Sequence, residues 1–180
     1  MAYVTPPTFV ATDTLTAAQL NILGDDILYL KAAIDAMAFT GVALSRTTNL
    51  SCTTATWTDV SWDSATIDTS SFWSSGTDIT VPASAIPAGS TNVVFMVQVQ
   101  VRFAANGTGS RAIQVLKNGS TVERARYLSA ITGETTEVDT FVWAVSVAAA
   151  DVLKLQVYQT SGGALIANSI SMHAWRGGYI

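Results

Sequence analysis

One cysteine, one histidine and four prolines in 180 residues remove several kinds of chemistry at once. Cys52 has no partner for an intrachain disulfide, and with His173 it cannot assemble a cysteine–histidine zinc site within the chain. It is expected to be a small buried hydrophobe. Charged residues make up 12% of the chain, about half the usual share of a soluble domain. A surface so sparse in charge is often covered by a partner subunit. The nine Lys and Arg residues are scattered and the net charge is −4, so no basic stripe points to nucleic acid or anionic lipid. No apolar run approaches the ~20 residues of a membrane helix. The opening MAYVTPPTFVATD has neither a basic n-region nor an apolar h-region. A chain without a signal peptide, made in the cytoplasm, is the expectation.

Catalytic patterns are also missing. Ser and Asp are plentiful, yet no nucleophile elbow or fixed spacing assembles a Ser/His/Asp triad. His173 lies in Ser171-Met172-His173-Ala174-Trp175, where a strand residue is the plain reading. Asp25 and Asp26 are adjacent on a helix and point about 100° apart, so they do not converge and read as a solvated face. Asp63, Asp68 and Asp78 stand near loops that could hold calcium, but without the ligand spacing of a loop site. Gly107-Thr108-Gly109 and Gly162-Gly163 read as hairpin turns rather than phosphate loops, because no helix follows them. Asn49, Asn106 and Asn118 match glycosylation acceptors only by coincidence if no secretory route is used. The expectation is a protein that is not an enzyme, with no cofactor and no metal.

What the sequence does contain begins with one helix. Thr16-Ala17-Ala18-Gln19 matches a capping box. Leu20, Leu23, Ile27, Leu30, Ile34 and Met37 then follow at 3-4-3-4-3 spacing, the seam of a coiled coil, and Gly41 supplies a stop. In that register Asp26 is a g position and Lys31 the next e position, a weak pair across parallel chains. Ile at a and Leu at d permit a dimer or a trimer. A second reading also fits the spacing: Ile22, Leu28 and Tyr29 widen the apolar face, as in a helix lying on its own β domain. Gly24 weakens the helix by ~1 kcal/mol against Ala. Fewer than three heptads are marginal alone, so a coil here needs the rest of the chain to supply most of the association.

Ahead of the helix, residues 1–13 read as an extended arm in which Tyr3, Pro6, Pro7 and Phe9 are the docking residues. From residue 41 to 180 the period changes to two. Val93 to Phe103 is the clearest case, with Val93, Phe95, Val97, Val99, Val101 and Phe103 on one face and a half-apolar second face. That second face suits packing against a neighbour. Further strands are expected at 42–48, 56–62, 78–81, 112–117, 121–128, 138–147, 152–159 and 169–175, with Asn118-Gly119 as a hairpin turn. Trp73, beside Ser74-Ser75-Gly76, is expected to be exposed and to offer a receptor contact.

Gly41-Val42-Ala43-Leu44, then Ala55-Thr56-Trp57-Thr58-Asp59-Val60, Asp63 and Ile67-Asp68-Thr69, resembles the opening strands of C1q/TNF-like domains. Gly109-Ser110-Arg111 with Leu116-Lys117-Asn118-Gly119 is similar to that family's middle hairpin, and 145–163 to its penultimate strand and loop. Pro82 and Pro87 frame a longer turn than the family's usual one. The resemblance implies a mainly β, ten-strand jelly-roll sandwich that forms a compact homotrimer. Three chain starts near one axis would bring three helices together, which favours a trimeric coiled coil over 14–40. The front stretch, Tyr3-Val4-Thr5-Pro6-Pro7-Thr8-Phe9 with 15–21, also resembles the beginnings of small phage structural proteins. The expected function is therefore a bacteriophage virion protein: a short fibre, capsid decoration or minor tail protein. It would be attached by its arm to other virion proteins, with its β head at the virion surface and able to meet the host. A glycan- or protein-binding module without a virion is the alternative.

Overall fold

Two antiparallel sheets account for nearly all of the alternating sequence, in a computed structural model that describes residues 16–37, 39–124, 128–130, 133–139 and 143–179. The chain divides into two compact units, Met1–Ala38 and Phe39–Ile180. In the first, helix α1 runs from Ala17 to Met37. At 1.5 Å per residue its 21 residues extend about 30 Å. The Thr16 carbonyl accepts the Leu20 N–H at 3.1 Å, which puts Thr16 at the N-cap position.

Gly41 does not end this helix, as its type had indicated. It opens the first strand, where a Cβ would lie 2.5 Å from the Ala174 carbonyl oxygen and 2.8 Å from Trp175 Cα. Glycine is needed there for a close approach of two backbones, not for a left-handed cap.

The second unit contains, among its described residues, thirteen strands. In chain order they are β1 (Gly41–Arg46), β2 (Leu50–Cys52), β3 (Thr58–Asp59), β4 (Ser64–Asp68), β5 (Ile79–Thr80), β6 (Val93–Phe103) and β7 (Ser110–Lys117). Then follow β8 (Ser120–Arg124), β9 (Leu128–Ser129), β10 (Thr136–Asp139), β11 (Trp143–Val147), β12 (Val152–Gln159) and β13 (Leu165–Tyr179). One sheet has seven strands in the order β10-β6-β13-β1-β4, with β11 also on β6 and β2 on β13. The other has six in the order β3-β12-β7-β8, with β5 on β12 and β9 on β7. Short strands lie along long ones: β10 pairs with the Phe103 end of β6 and β11 with its Val93 end. Both overlap the stretch expected as one strand over 138–147, and residues 140–142 between them lie outside the described residues.

The core lies between the sheets. Val93, Phe95, Val97, Val99, Val101 and Phe103 of β6 are all buried, each such side chain contributing about 1.5–3 kcal/mol. Ile113, Val115, Leu153, Leu155 and Val157 are buried from the other sheet. The rings of Phe72 and Phe95 meet at 5.6 Å. Asn118 and Gly119, at φ 51° and 79°, make the tight β7–β8 turn with both central residues left-handed.

Two other glycine turns are not hairpins. Gly107-Thr108-Gly109 links β6 to β7, and Gly162-Gly163 links β12 to β13; both cross from one sheet to the other. Turn residues mark a reversal of the chain, but they do not say whether the returning strand pairs with the one before it. The crossing loops gather at the Phe103 end of the sandwich, whereas β1 starts at Gly41, in register with Trp175 and through it with Met96, toward the Val93 end.

Candidate functional site

Four of the six seam positions are exposed in the single chain. Leu20, Ile27, Leu30 and Ile34 are 52%, 65%, 53% and 67% exposed, while Leu23 is half-buried. The side chain of Met37, the sixth seam position, lies outside the described residues, as does the arm with Tyr3, Pro6, Pro7 and Phe9. Leu28 and Tyr29, which broaden the apolar face, are exposed as well. A stripe of this kind asks for an apolar partner. The adjacent aspartates divide: Asp25 is exposed and Asp26 buried, as their 100° separation allows, so the pair is not one solvated face. A Cβ on Gly24 would meet nothing within 4 Å, so packing within the chain does not call for glycine there.

The outer face of the seven-stranded sheet is apolar at one end. Ala144, Met96, Trp175 and Gly41 form one cross-strand row, and Gln98, His173, Ala43 and Ile67 form the next. Val94, Met96 and Trp175 are half-buried, and Ile67 and, just before β1, Phe39 are exposed. Toward the other end the same face turns polar, with Gln100, Ser171 and Arg102. His173 is exposed on this strand face. The six-stranded sheet differs: its outer side chains are mostly polar and bond to one another.

Trp73, expected to be exposed, is in part covered. It is half-buried against the core, its Nε1 donates to the Gly76 carbonyl at 3.2 Å, and its backbone N–H to Asp68 Oδ2 at 3.0 Å. The three aspartates weighed as calcium ligands stay apart and close local structure instead. Asp63 accepts the N–H groups of Thr47 and Thr48, and Asp68 those of Phe72 and Trp73. Asp78 takes the Thr77 hydroxyl and the Lys154 ammonium. Among the described residues no three His, Cys, Asp or Glu side chains are grouped to hold a metal. Cys52 is buried, and burial pushes its thiol up to about 11.

Sequence reasoning missed two buried polar residues, Arg111 and Gln159, and an aromatic pair, Trp57 and Tyr158. In sequence, an arginine or glutamine on a strand reads as solvent-facing, because such residues are almost never fully buried unless paired. The aromatics read as core at alternating positions. Their shared outer face could have been found only from the register of β3 against β12.

No known protein-family model and no curated protein matches this chain. Among solved structures, the globular domain of zebrafish complement 1qA protein matches with a TM-score of 0.55 at 7% identity, over 78% of this chain and 99% of that one. Murine APRIL matches with a TM-score of 0.50 at 12% identity, over 76% of this chain and 98% of its own. At such identities the likeness is one of fold, and the two-sheet sandwich is a C1q/TNF-like jelly roll.

Proposed function

We propose that this chain is a homotrimeric structural protein of a bacteriophage particle. It docks through residues 1–13, zips three copies of α1 together, and holds the β unit at the virion surface as a short fibre, decoration or minor tail protein. The uncovered seam of Leu20, Ile27, Leu30 and Ile34 carries the self-association half of this reading. The unequal outer faces of the sandwich support it: the apolar end of the seven-stranded sheet is suited to a second copy, and the polar six-stranded sheet to solvent. The virion half is supported by the resemblance of Tyr3 to Phe9 and of 15–21 to the starts of phage structural proteins. No catalytic step and no cofactor belong to this reading.

A glycan- or protein-binding module not tied to a virion is the second reading, favoured by the aromatic pair on the six-stranded sheet. Quantitative mass spectrometry of purified phage particles separates the two. The first reading expects the chain in the particle at a copy number divisible by three. Its absence from particles produced by a phage that expresses it would overturn the virion role.

A further inference from the structure

The outer face of the six-stranded sheet carries three rows of side chains across β3, β12, β7 and β8. In the first, the rings of Trp57 and Tyr158 lie with centroids 5.0 Å apart at 38°, both half-buried, and Ala112, in register with Tyr158, is fully buried. In the second, a hydrogen-bond chain runs one way across the sheet. The Thr121 hydroxyl, reaching over from its register partner Leu116, donates to Gln114 Oε1 at 3.3 Å, Gln114 Nε2 to Gln156 Oε1, and Gln156 Nε2 to Asp59 Oδ1 at 2.6 Å. In the third, Lys154 Nζ meets Asp78 Oδ1 at 3.0 Å. Tyr158, Gln156 and Lys154 are two residues apart on one strand, so the rows stand about 6.6 Å from each other.

Among the described residues each amide in the chain spends one N–H and keeps a second. Asp59 is exposed, and its Oδ2 has no hydrogen-bond partner among the described residues. The chain therefore ends in a carboxylate that still accepts, next to amides that still donate, beside an aromatic pair. We infer that this strip is a binding surface for a neutral oligosaccharide, with Trp57, Tyr158, Gln156 and Asp59 as its contacts. A pyranose ring has an apolar C–H face and a rim of hydroxyls. The aromatic pair offers the first a negative π face, and the carboxylate and amides offer the second charge-assisted and neutral hydrogen bonds. An anionic glycan or nucleic acid would meet Asp59, and the Lys154 ammonium on the same strand is already held by Asp78. An apolar protein surface would strand the amide row. The length of the strip, about 13 Å over three rows, suits a short linear oligosaccharide better than one ring.

This inference deepens the proposal that the β unit meets the host surface, and it does not depend on the trimer. The test is to screen the full chain against neutral and anionic oligosaccharides on an array and to titrate the hits by calorimetry. Asp59→Ala and Tyr158→Leu are titrated beside it, after their far-ultraviolet circular dichroism is shown to match the parent. At least one neutral oligosaccharide is expected to bind at millimolar concentration or below, and Asp59→Ala to weaken it at least tenfold, the size of one lost charge-assisted bond. Tyr158→Leu is expected to weaken it as well. No neutral ligand at millimolar concentration, binding only to anionic glycans, or binding unchanged in both variants would overturn the site. The mass of the same samples keeps the readings apart: a trimer that binds nothing contradicts this site alone, and a monomer that binds contradicts the assembly alone.

Discussion

Arg111 on β7 and Gln159 on β12 stand opposite one another in register, both fully buried, and both turn their polar heads into the loops at one end of the sandwich. Arg111 donates to the carbonyls of Asn106, Thr108 and Ser110 at 3.0–3.1 Å, with its guanidinium 5.8 Å from the centre of the Phe103 ring. Gln159 Nε2 donates to the carbonyls of Cys52 and Gly163 at 2.9 and 2.8 Å, and its Oε1 accepts the Ser161 N–H at 2.6 Å. Between them they fix the loops over 104–109 and 160–163 and tie the second to the end of β2. The arginine is held by carbonyl dipoles and a ring rather than by a carboxylate, and burial lowers its affinity for its proton.

Replacing Gln159 with Leu keeps the volume but takes the side-chain partner from the Cys52 carbonyl and the Ser161 N–H, while the Gly163 carbonyl keeps the Ser161 hydroxyl at 3.2 Å. Each stranded buried group costs about 1–3 kcal/mol, and partial access to water at the loop limits the total to about 2–4 kcal/mol. Urea unfolding measures that loss. Hydrogen exchange is expected to quicken first at Ser161 and its neighbours.

Gly109 and Gly162 both have left-handed backbones, at φ 75° and 87°, but differ in space. A Cβ at Gly162 meets nothing within 4 Å, whereas at Gly109 it would lie 2.0 Å from the Thr160 carbonyl oxygen. Gly162→Ala is expected to cost roughly 1–2 kcal/mol, the ordinary penalty of that conformation. Gly109→Ala adds a backbone clash and is expected to lower the melting temperature clearly further. Equal effects would mean that the β6–β7 crossing does not pack against Thr160.

Three aspartates give stability an acid limit. The Thr48 N–H holds the Asp63 carboxyl below its usual range; partial burial opposes this, while the Thr48 hydroxyl, the Thr47 N–H and Arg46 add to it. The Thr77 hydroxyl does the same for Asp78, with Lys154 helping against burial. Burial works against the charge of Asp151, but the Ala148 N–H, Asn118 and Lys117 outweigh it and lower its pKa. Depressed folded values mean that the unfolded chain binds more protons, so these contributions are complete above the ordinary carboxylate pKa of about 3.9 and are lost as pH falls through the folded values. The urea midpoint is expected to stay level from about pH 5 to 8 and to drop below about pH 4. Asp63→Asn with Asp151→Asn should flatten that drop. Lys154 has the opposite sign: hydrogen bonding to Asp78 raises its pKa, so its contribution fades only at strongly alkaline pH.

Helix seam and sheet face are expected to fail separately. Ile27→Asp with Ile34→Asp places charge in the seam and should reduce the helical signal at 222 nm while leaving the melting of the β unit unchanged. Met96→Asp, on the apolar end of the seven-stranded sheet, should dissociate the assembly, because a helix of fewer than three heptads is marginal alone. Circular dichroism at 222 nm with thermal melting reads the first outcome, and sedimentation velocity the second.

Legibility in the sequence followed pattern strength. Strand β6 alternates without a break from Val93 to Phe103, and its reading and its burial coincide residue for residue. Periodicity does not reveal β2 or β4, because Leu-Ser-Cys is too short to show a period and Ser-Ala-Thr-Ile-Asp, paired with β1, buries little; only the resemblance touches β4, at Ile67 and Asp68. Strand β13 runs from Leu165 to Tyr179, well past the expected 169–175, since Ala-Asn-Ser and Arg-Gly-Gly look like turns until β6 is seen to pair with them. The amide chain from Thr121 to Asp59 crosses four strands. No spacing along one strand reveals it.

The mass of the full chain in solution, by sedimentation equilibrium or light scattering at micromolar concentration, tests the central claim most directly. Burial of three seams and three apolar sheet faces predicts a single species at three times the mass of one chain. A stable monomer at that concentration would contradict it.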